Sequence, residues 1–418
     1  MSKFLCFGDP HLGASPDLGR VPFGEGSRLE DQERVLRRIL HLAVDEKVDG
    51  ILNAGDVFHR RRPTPSEMMV WRSFVEGAGD EGIGIVGVLG NHEVEAADRV
   101  TATQVIRGSS GGYYDIFARL GISYAFDGVA IACLPWTPPA RLLASLNGHV
   151  ERDEVAARVA ELLIDSAREL RAQIPEGKVA VLLLHWSISG SSLPNGLDVG
   201  LLREPVLALP DLAELGFDAI VAGHIHKPQR LDMGLGIDCG PILYTGSAAL
   251  VDFGESQTEH GVWILDTETM EEDRGVFHEI EDRRFLTVDC DLTETEGDVY
   301  RYALLGLDET DAIAAAVATH FPIEDAVLRI RYRCTSEQAR KVDVAAIRNL
   351  CADDGVSKIY SIQAQVERED RVRAEGLDEN LTTLDALEVY VKSEGLAPEK
   401  ADALRRQTAL YLEEVGAA

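Results

Sequence analysis

Five short apolar runs constrain this chain more than any other feature, because each one ends in a turn whose side chains can bind metal ions. The runs are FLCF (4–7), GILN (50–53), IGIVGVL (83–89), VAVLLL (179–184) and DAIVA (218–222). Their length and composition predict buried strands, and helical stretches at 30–46 and 152–170 lie between some of them. This alternation predicts an α/β fold, in which the carboxyl ends of the strands bring the five turns together.

The five turns share a restricted set of residue types. They carry Asp9 and His11, then Asp56 and His59, then Asn91 and His92, then His185, and finally His224 and His226. Six of the eleven histidines lie in these turns. Carboxylate, imidazole and amide groups are ligands that suit manganese, iron(II) or zinc. So many potential ligands exceed the needs of one tetrahedral ion, and they suit two ions that share a carboxylate.

The spacing inside two of the turns supports a common site. Asp9 and His11 are separated by one residue, and so are His224 and His226. In an extended chain, this spacing points both side chains to the same side. Glycines that precede the turn residues would let the backbone bend sharply and approach the ions closely.

The structural alternative is that each turn residue only forms a turn or caps a helix, which is the commoner role of a single Asp after a strand. Five such turns in one order, each after a predicted strand, favour the metal site over this alternative. The remaining histidines lie outside the turns and are expected to be structural: His41, His149, His260, His278 and His320.

Length and composition set further limits. A chain of 418 residues is too long for one ordinary core, so a large domain with a smaller one is expected. No apolar run approaches the roughly 18 residues that span a bilayer, and the apolar stretch at the N-terminus is too short for a signal peptide. The six cysteines are scattered, which predicts reduced thiols in a cytoplasmic protein.

The net charge of −30 argues against nonspecific adhesion to nucleic acid. The acid is unevenly distributed, however. Residues 1–250 carry 23 Lys and Arg against 33 Asp and Glu, a net of −10, whereas residues 251–300 carry 3 against 16, a net of −13. The charge therefore leaves a nucleic-acid substrate open.

The ordered turns DxH, GDxxH, GNHE, H and GHIH resemble the calcineurin-like metallophosphoesterase superfamily. Longer motifs narrow the resemblance to the SbcD nucleases: HLG (11–13), FHRRRPTP (58–65), GHIHKPQ (223–229), YTGS (244–247) and DFGE (252–255). These motifs cover residues 1 to about 262. The resemblance implies a four-layer α-β-β-α sandwich with a smaller α/β capping domain and C-terminal helices. It also implies the nuclease half of the SbcC–SbcD double-strand-break repair complex.

By position, the resemblance implies a role for each turn residue. Asp9, His11 and His226 would hold one ion, Asn91, His185 and His224 the other, and Asp56 would bridge the two. His92 matches a histidine that does not bind metal and that assists the departing oxygen or steadies the transition state, and His59 matches a second histidine near the scissile phosphate. For His59 the alternative is a solvated loop residue. Two divalent ions are implied, with Mn²⁺ as the expected metal.

The rim of this site carries positive charge. The candidate substrate contacts are Arg60, Arg61, Arg62 and Lys227. They directly follow His59 and His226, which suits a polyanion contacted through its phosphates. The alternative is that the three arginines form a solubilising loop.

The chain is expected to contain a nuclease domain (1–282), a capping domain (283–366), a linker (367–380) and a helical segment (381–418). The pattern over 285–366 predicts strand, helix, strand, helix and strand. In the last segment Leu384, Leu387 and Val391 share one helix face, and Leu404, Tyr411 and Val415 share another. By resemblance these helices bind an SbcC-type ATPase, and packing on their own domain is the alternative.

Three functions compete on these observations. The first is a DNA nuclease, a double-strand exonuclease and single-strand endonuclease that works as a homodimer with the ATPase. The second is a small-molecule phosphodiesterase or phosphatase of the same fold, which would not need residues 285–418. The third is a scaffolding protein with a decayed site, which the intact ligand set argues against. The nuclease is the preferred interpretation. The chain has no Walker A motif, so any ATP chemistry must come from another chain.

Overall fold

The structure is a computed structural model that describes residues 2–19, 26–94, 100–108, 111–144, 154–231, 240–269, 274–293, 307–367 and 381–414. The chain divides into two compact units. The first comprises Met1–Val288, Ala314–Ile330 and Val344–Ile362, and the second comprises Asp289–Ile313, Arg331–Asp343 and Gln363–Ala418.

The strands of the described residues are numbered in chain order. They are β1 (Lys3–Phe7), β2 (Gly50–Asn53), β3 (Gly84–Val88), β4 (Tyr114–Phe117), β5 (Gly121–Ser123), β6 (Val129–Leu134), β7 (Val179–His185), β8 (Ser187–Ile188), β9 (Val206–Leu207), β10 (Ala219–Gly223), β11 (Gln229–Leu231), β12 (Ile242–Tyr244), β13 (Gly261–Asp266), β14 (Gly275–Glu279), β15 (Phe285–Asp291), β16 (Val327–Cys334) and β17 (Lys358–Val366). All five apolar runs are strands, as predicted, and GILN has the predicted bounds.

The helices are numbered in the same way. They are α1 (Arg28–Asp45), α2 (Pro65–Asp80), α3 (Ala102–Arg107), α4 (Pro139–Leu143), α5 (Val155–Gln173), α6 (Leu209–Ala213), α7 (Glu309–Ala318), α8 (Ser336–Lys341), α9 (Val344–Asp353), α10 (Thr383–Ser393) and α11 (Pro398–Glu414). The helices predicted at 30–46 and 152–170 correspond to α1 and α5. Ser27 caps α1 by accepting a hydrogen bond from the Glu30 amide, and a capping box starts α2 at Thr64.

Two six-stranded sheets form the centre of the first unit. The first sheet has the order β14-β13-β1-β2-β3-β4, and β1 to β4 are parallel. The second has the order β11-β12-β10-β7-β6-β5, and its β12, β10, β7 and β6 are parallel. The five motif-bearing strands are therefore shared between two sheets, with three in the first sheet and two in the second.

The alternation of side chains along the strands produces three apolar layers. Leu5, Phe7, Ile51 and Ile85 pack with Val35, Ile39, Trp71 and Phe74 of α1 and α2. Phe4, Cys6, Leu52 and Val86 pack between the sheets, against Val181, Leu183 and Val221. Leu182 and Leu184 pack with Val159 and Leu163 of α5. Each such buried side chain contributes roughly 1.5–3 kcal/mol. This order of layers confirms the predicted α-β-β-α sandwich.

A buried set of charges fastens α1 to the chain that follows the sandwich. Arg28 is 1 % exposed and forms ion pairs with Asp31 and Asp282. The guanidinium of Arg283 donates to the buried Asp31 carboxylate and, at its other end, to the carbonyl and carboxylate of the exposed Asp325. Every charge in this set has an opposite partner, which burial in a low-dielectric interior requires.

The second predicted helix of the 285–366 region is in fact two helices, α8 and α9. Val342, the residue that follows α8, has extended backbone angles (φ −68°, ψ 119°). The next amide, of Asp343, donates to the Thr310 hydroxyl at 2.9 Å. A β-branched residue followed by Asp is a weak helix former, so this side-chain contact replaces the helical hydrogen bond.

The domain boundaries predicted from sequence stay a prediction, and the predicted linker lies outside the described residues from 368 to 380. The five described cysteines are buried and form no disulfide within the described ranges, and Cys239 lies outside those ranges. Within those ranges, every helix is too short or too polar to cross a bilayer.

Candidate metal centre

The turns that follow β1, β2, β3, β7 and β10 meet at one end of the sandwich. Asp9 and His11 lie beside the second turn, because their amides donate to the carbonyls of Gly55 and Asp56 at 2.9 and 3.1 Å. The amide of His224 donates to the Asp9 carboxylate at 3.0 Å and so links the two sheets. The predicted convergence is therefore present.

The backbone that presents these side chains is left-handed, not extended. Asp9, His11, Asp56 and His224 have φ values of 49°, 42°, 50° and 87°. Residues other than Gly rarely adopt left-handed backbone angles, and backbone strain of this kind accumulates at functional sites. The extended backbone predicted from the one-residue spacing is therefore wrong, although the paired side chains do reach one site.

Asp9, His11 and His226 form one group of potential ligands. The Nε2 atoms of His11 and His226 are 3.0 Å apart, and each lies 3.9 Å from Asp9 Oδ1. Asp9 and His11 are fully enclosed, with 0 and 1 % exposure. Their ligand atoms all lie within 4.8 Å of one another, which is close enough for one ion to bind all three.

A second group forms around Asn91. Its Oδ1 lies 3.0 Å from His185 Nε2 and 3.0 Å from His224 Nδ1. The Asp56 carboxylate stands between the two groups, with Oδ2 at 3.3 Å from His185 Nε2 and 3.7 Å from His11 Nε2. All seven predicted ligands therefore lie in one cluster, and Asp56 occupies the central position.

The side chains fit a divalent cation. Nitrogen and oxygen donors converge from the turns, and three of the histidines have their far ring nitrogen already bonded. His185 Nδ1 meets the Ala54 carbonyl at 2.6 Å, His224 Nε2 meets Glu204, and His226 Nδ1 meets Glu255. A partner on the far nitrogen sets the tautomer, so the near nitrogen keeps its lone pair for a metal. The cluster is therefore a divalent metal site in its donor set and in its spacing.

The charges of the cluster depend on each other. Burial raises the pKa of Asp9, and the nearby His185 and His226 offset this only in part. Burial also raises the pKa of Asp56, but His185 and His11 outweigh it and hold that pKa well below its usual range. Burial lowers the pKa of His185, whereas Asp56 outweighs burial and raises it to about 9. A cation must displace such protons, so metal binding here depends on pH.

His92 and His59 lie next to the first group of ligands. The His92 amide donates to Asp56 Oδ1 at 2.8 Å, and its Nδ1 meets the His59 carbonyl at 2.8 Å. The ring centroids of His11 and His92 are 4.7 Å apart. His59 and His92 line a groove of about 550 Å³, together with Arg60, Arg61, Asn91, Val94, Trp136 and Pro138. The groove leads directly onto the cluster.

The predicted phosphate contacts differ in their surroundings. Arg60 lines the groove, but its Nη2 donates to the Gly13 carbonyl and to Glu67. Arg61 is exposed at the groove, and Arg62 is exposed as well. Lys227 is half-buried and donates to Ser192 Oγ at 2.9 Å. Only the first two arginines are therefore placed beside His59 and His92 in the described part of the groove.

Three glutamates lie next to the metal cluster, and the sequence analysis assigns a role to none of them. Glu255 contacts His226 and ends the DFGE motif, which was the one signal that could have found it. Glu204 contacts His224, and no motif marks it. Glu93 accepts a hydrogen bond from the Gly90 amide, and burial together with Asp56 raises its pKa to about 8.

With this geometry in view, comparison with known families identifies the class. The model of the calcineurin-like phosphoesterases matches residues 2–228, which contain all the turn residues. The match covers more than half of the 418 residues, and the chain belongs to the calcineurin-like phosphoesterase family. The family resemblance predicted from the turns is thereby confirmed.

Particular relatives narrow the comparison. The chain is 24% identical over 362 residues to the DNA double-strand break repair protein Mre11 of Haloferax volcanii, covering 85% of this chain and 66% of that protein. It is 24% identical over 280 residues to the SbcD subunit of the SbcCD nuclease of Bacillus subtilis, covering 65% and 67%. The chain thus spans about two thirds of the length of these relatives. The solved structure of TT1561 from Thermus thermophilus is 12% identical and covers 67% of this chain and 99% of that one, with a TM-score of 0.40.

Proposed function

We propose that this chain is a metal-dependent DNA nuclease, a double-strand exonuclease and single-strand endonuclease that works in end processing and repair. The observation that carries the proposal is the convergence of all seven predicted ligands in one cluster, with both predicted catalytic histidines on the groove beside it. The names of the relatives support DNA as the substrate, since one is a double-strand break repair protein and another belongs to a nuclease.

The residues divide the chemistry among themselves. Asp9, His11 and His226 would hold one ion, Asn91, His185 and His224 the other, and Asp56 would hold both. When bound, two divalent ions, here proposed to be Mn²⁺, activate a water and neutralise charge on the phosphoryl oxygens. The Nδ1–H of His92 donates to the His59 carbonyl, so Nε2 is the ring nitrogen left to assist the departing oxygen. In the imidazolium form of the ring, Nε2 carries the proton that it would donate to that oxygen.

The groove is suited to a nucleic-acid strand contacted through its phosphates. Arg60 and Arg61 supply positive charge beside His59 and His92. The residues before 251 nevertheless carry a net charge of −10. Repulsion from this charge predicts weak DNA affinity for the chain alone, so a partner would supply much of the binding.

An SbcC-type ATPase is the proposed partner, and α10 and α11 are its proposed contact. Arg405 of α11 forms a two-pronged ion pair with Glu388 of α10, at 2.6 and 2.8 Å. Of the apolar residues predicted to share faces, Val391 is buried, whereas Leu384 is 48 % and Tyr411 62 % exposed. Exposed apolar side chains of this size support a helix-docking surface.

Two further features belong to this proposal. The five cysteines of the described ranges are buried and not joined in disulfides, which supports a reducing, cytoplasmic location. A homodimer is proposed by resemblance to SbcD-type nucleases, and light scattering of the purified chain would test it. A monomer at micromolar concentration would refute the dimer.

The nuclease activity is tested with Mn²⁺, an end-labelled DNA duplex and, in parallel, a small chromogenic phosphodiester. Three proteins are compared, namely the parent, His92→Ala, and His41→Ala as a control on the exposed surface of α1. The parent and the control should degrade the duplex, and His92→Ala should be slower by roughly 10²–10⁴-fold, the usual contribution of a general acid.

The outcome also decides between the two enzyme hypotheses. If only the small diester is hydrolysed, even with an SbcC-type ATPase present, the nuclease proposal fails and a small-molecule phosphodiesterase takes its place. If His92→Ala cuts DNA as fast as the parent, the assignment of His92 fails, whatever the substrate.

A further inference from the structure

In each of the two histidines of the GHIH turn, the ring nitrogen that faces away from the metal cluster contacts a carboxylate. His226 Nδ1 contacts Glu255, and His224 Nε2 lies 3.0 Å from Glu204 Oε1. The two glutamates come from different segments and are 51 residues apart in sequence (255 minus 204). An ionised carboxylate only accepts hydrogen bonds, so the ring nitrogen facing it must donate. The opposite nitrogen of each ring is then left with its lone pair toward the metal cluster.

The two supports differ in how firmly they are held. Glu255 is 6 % exposed, and its Oε2 accepts hydrogen bonds from the Val251 amide at 2.9 Å and from Ser247 Oγ at 3.2 Å. Ser247 Oγ is itself 2.9 Å from Nδ1 of the buried His260. Hydrogen bonds to Oε2 therefore hold the Glu255 carboxylate in place, while its other oxygen contacts His226.

Glu204 is more exposed and accepts one hydrogen bond fewer than Glu255 does. Its side chain is 33 % exposed, and besides His224 it accepts a hydrogen bond from Ser187 Oγ at 2.5 Å. It follows the short 3-10 helix Val199–Leu201 and precedes β9. Water can compete for a carboxylate in this position, so it holds His224 less firmly than Glu255 holds His226.

We propose that Glu255 and Glu204 are positioning residues for the metal ligands, and that their unequal support makes the two metal positions unequal. The ion beside His226 binds tightly, and the ion beside His224 exchanges more readily. The proposal rests on the proposed function in one respect, namely that the site binds two divalent ions. Removing the partner of a ligating histidine typically weakens metal binding by roughly 10–100-fold, which sets the scale of the effect.

The test measures Mn²⁺ binding to the metal-free full-length chain by calorimetry, with free Mn²⁺ followed by electron paramagnetic resonance. Four proteins are compared: the parent, Glu255→Ala, Glu204→Ala, and Glu259→Ala as a control at a neighbouring exposed glutamate. The parent should bind two ions in two distinguishable steps. Glu255→Ala should weaken the tighter step by roughly 10–100-fold, whereas Glu204→Ala should weaken only the weaker step. The control should bind as the parent does.

Conservative variants separate positioning from a loss of folding. Glu255→Gln and Glu204→Gln retain an oxygen that accepts from the ring nitrogen and should recover part of the lost affinity, and thermal unfolding of each metal-free variant checks the fold. Parent-like binding by both alanine variants refutes the proposal, and so does a Glu255→Ala protein that is weakened only in its weaker step. A parent that binds no Mn²⁺ refutes the proposed metal-dependent function as well, which distinguishes the two failures.

Discussion

Replacing Asp282 by Asn should destabilise the first unit more than any change to an exposed charge. The carboxylate of Asp282 is 7 % exposed and accepts hydrogen bonds from Arg28 at 3.0 and 2.6 Å, from the Leu250 amide at 3.1 Å and from the Arg283 amide at 2.6 Å. An uncharged amide at this position would leave the buried Arg28 with only Asp31 as an opposite charge.

The size of the loss follows from these contacts. Breaking a buried ion pair by removing one partner costs about 3–5 kcal/mol. Asp31 stays 3.3 Å from Arg28, and the amide oxygen of Asn can still accept one hydrogen bond, so the lower end applies. We expect a decrease of about 3 kcal/mol in the free energy of unfolding at pH 7.

Urea unfolding followed by tryptophan fluorescence measures this change, because all four tryptophans (71, 136, 186 and 263) belong to the first unit. The control is Glu281→Gln. Glu281 is the preceding residue, is 83 % exposed and pairs with Arg38, and its loss should cost less than about 1 kcal/mol. Equal losses in the two variants would refute the reasoning.

The pH dependence adds a second check on the same variant. Burial raises the pKa of Asp282, but the Arg28 guanidinium outweighs burial and holds that pKa below its ordinary value of 3.8. A carboxyl whose pKa is lower in the folded than in the unfolded state stabilises the folded protein at any pH above its unfolded-state pKa. This contribution is lost as the pH falls through the folded-state pKa. The difference between parent and Asp282→Asn should therefore be constant from pH 7 to about 5 and shrink below about pH 4.

Three other changes test the core and the site. Gly90→Ala should sharply reduce Mn²⁺ affinity and nuclease activity, because the added Cβ would lie 2.1 Å from Asp56 Oδ1. The control is Gly108→Ala, whose added Cβ would lie 3.3 Å from its nearest atom. A Gly90→Ala protein that binds Mn²⁺ as the parent does would contradict the prediction. Trp71→Ala should lose about 3–5 kcal/mol in urea unfolding, since Trp71 is fully buried beneath the first sheet, and a loss below about 1 kcal/mol would show that the core refills. Chelation of divalent ions should lower the melting temperature of the parent, and Mn²⁺ should restore it; an unchanged melting temperature would argue against a stabilising metal site.

The chemistry of the site could be predicted from the sequence, because it resides in residue types and in their place after apolar runs. Asp9, Asp56 and the histidines of the turns are recognisable as potential ligands from these two properties, and the strand GILN is predicted with its bounds. The break between α8 and α9 was missed, because a contact between the Asp343 amide and the Thr310 side chain is not visible in local periodicity.

The sequence by itself determined which residues can bind metal and in what order the turns occur. Only the tertiary structure decided that the turns come from two stacked sheets, that Asp9 and His224 reach the site from left-handed backbone, and that Glu204 supports His224. The physical reason is the distance in sequence over which each property is decided. Ligand type and strand propensity depend on a residue and its neighbours, whereas convergence depends on how two sheets bury their shared layer, and a partner such as Glu204 is brought close only by that packing.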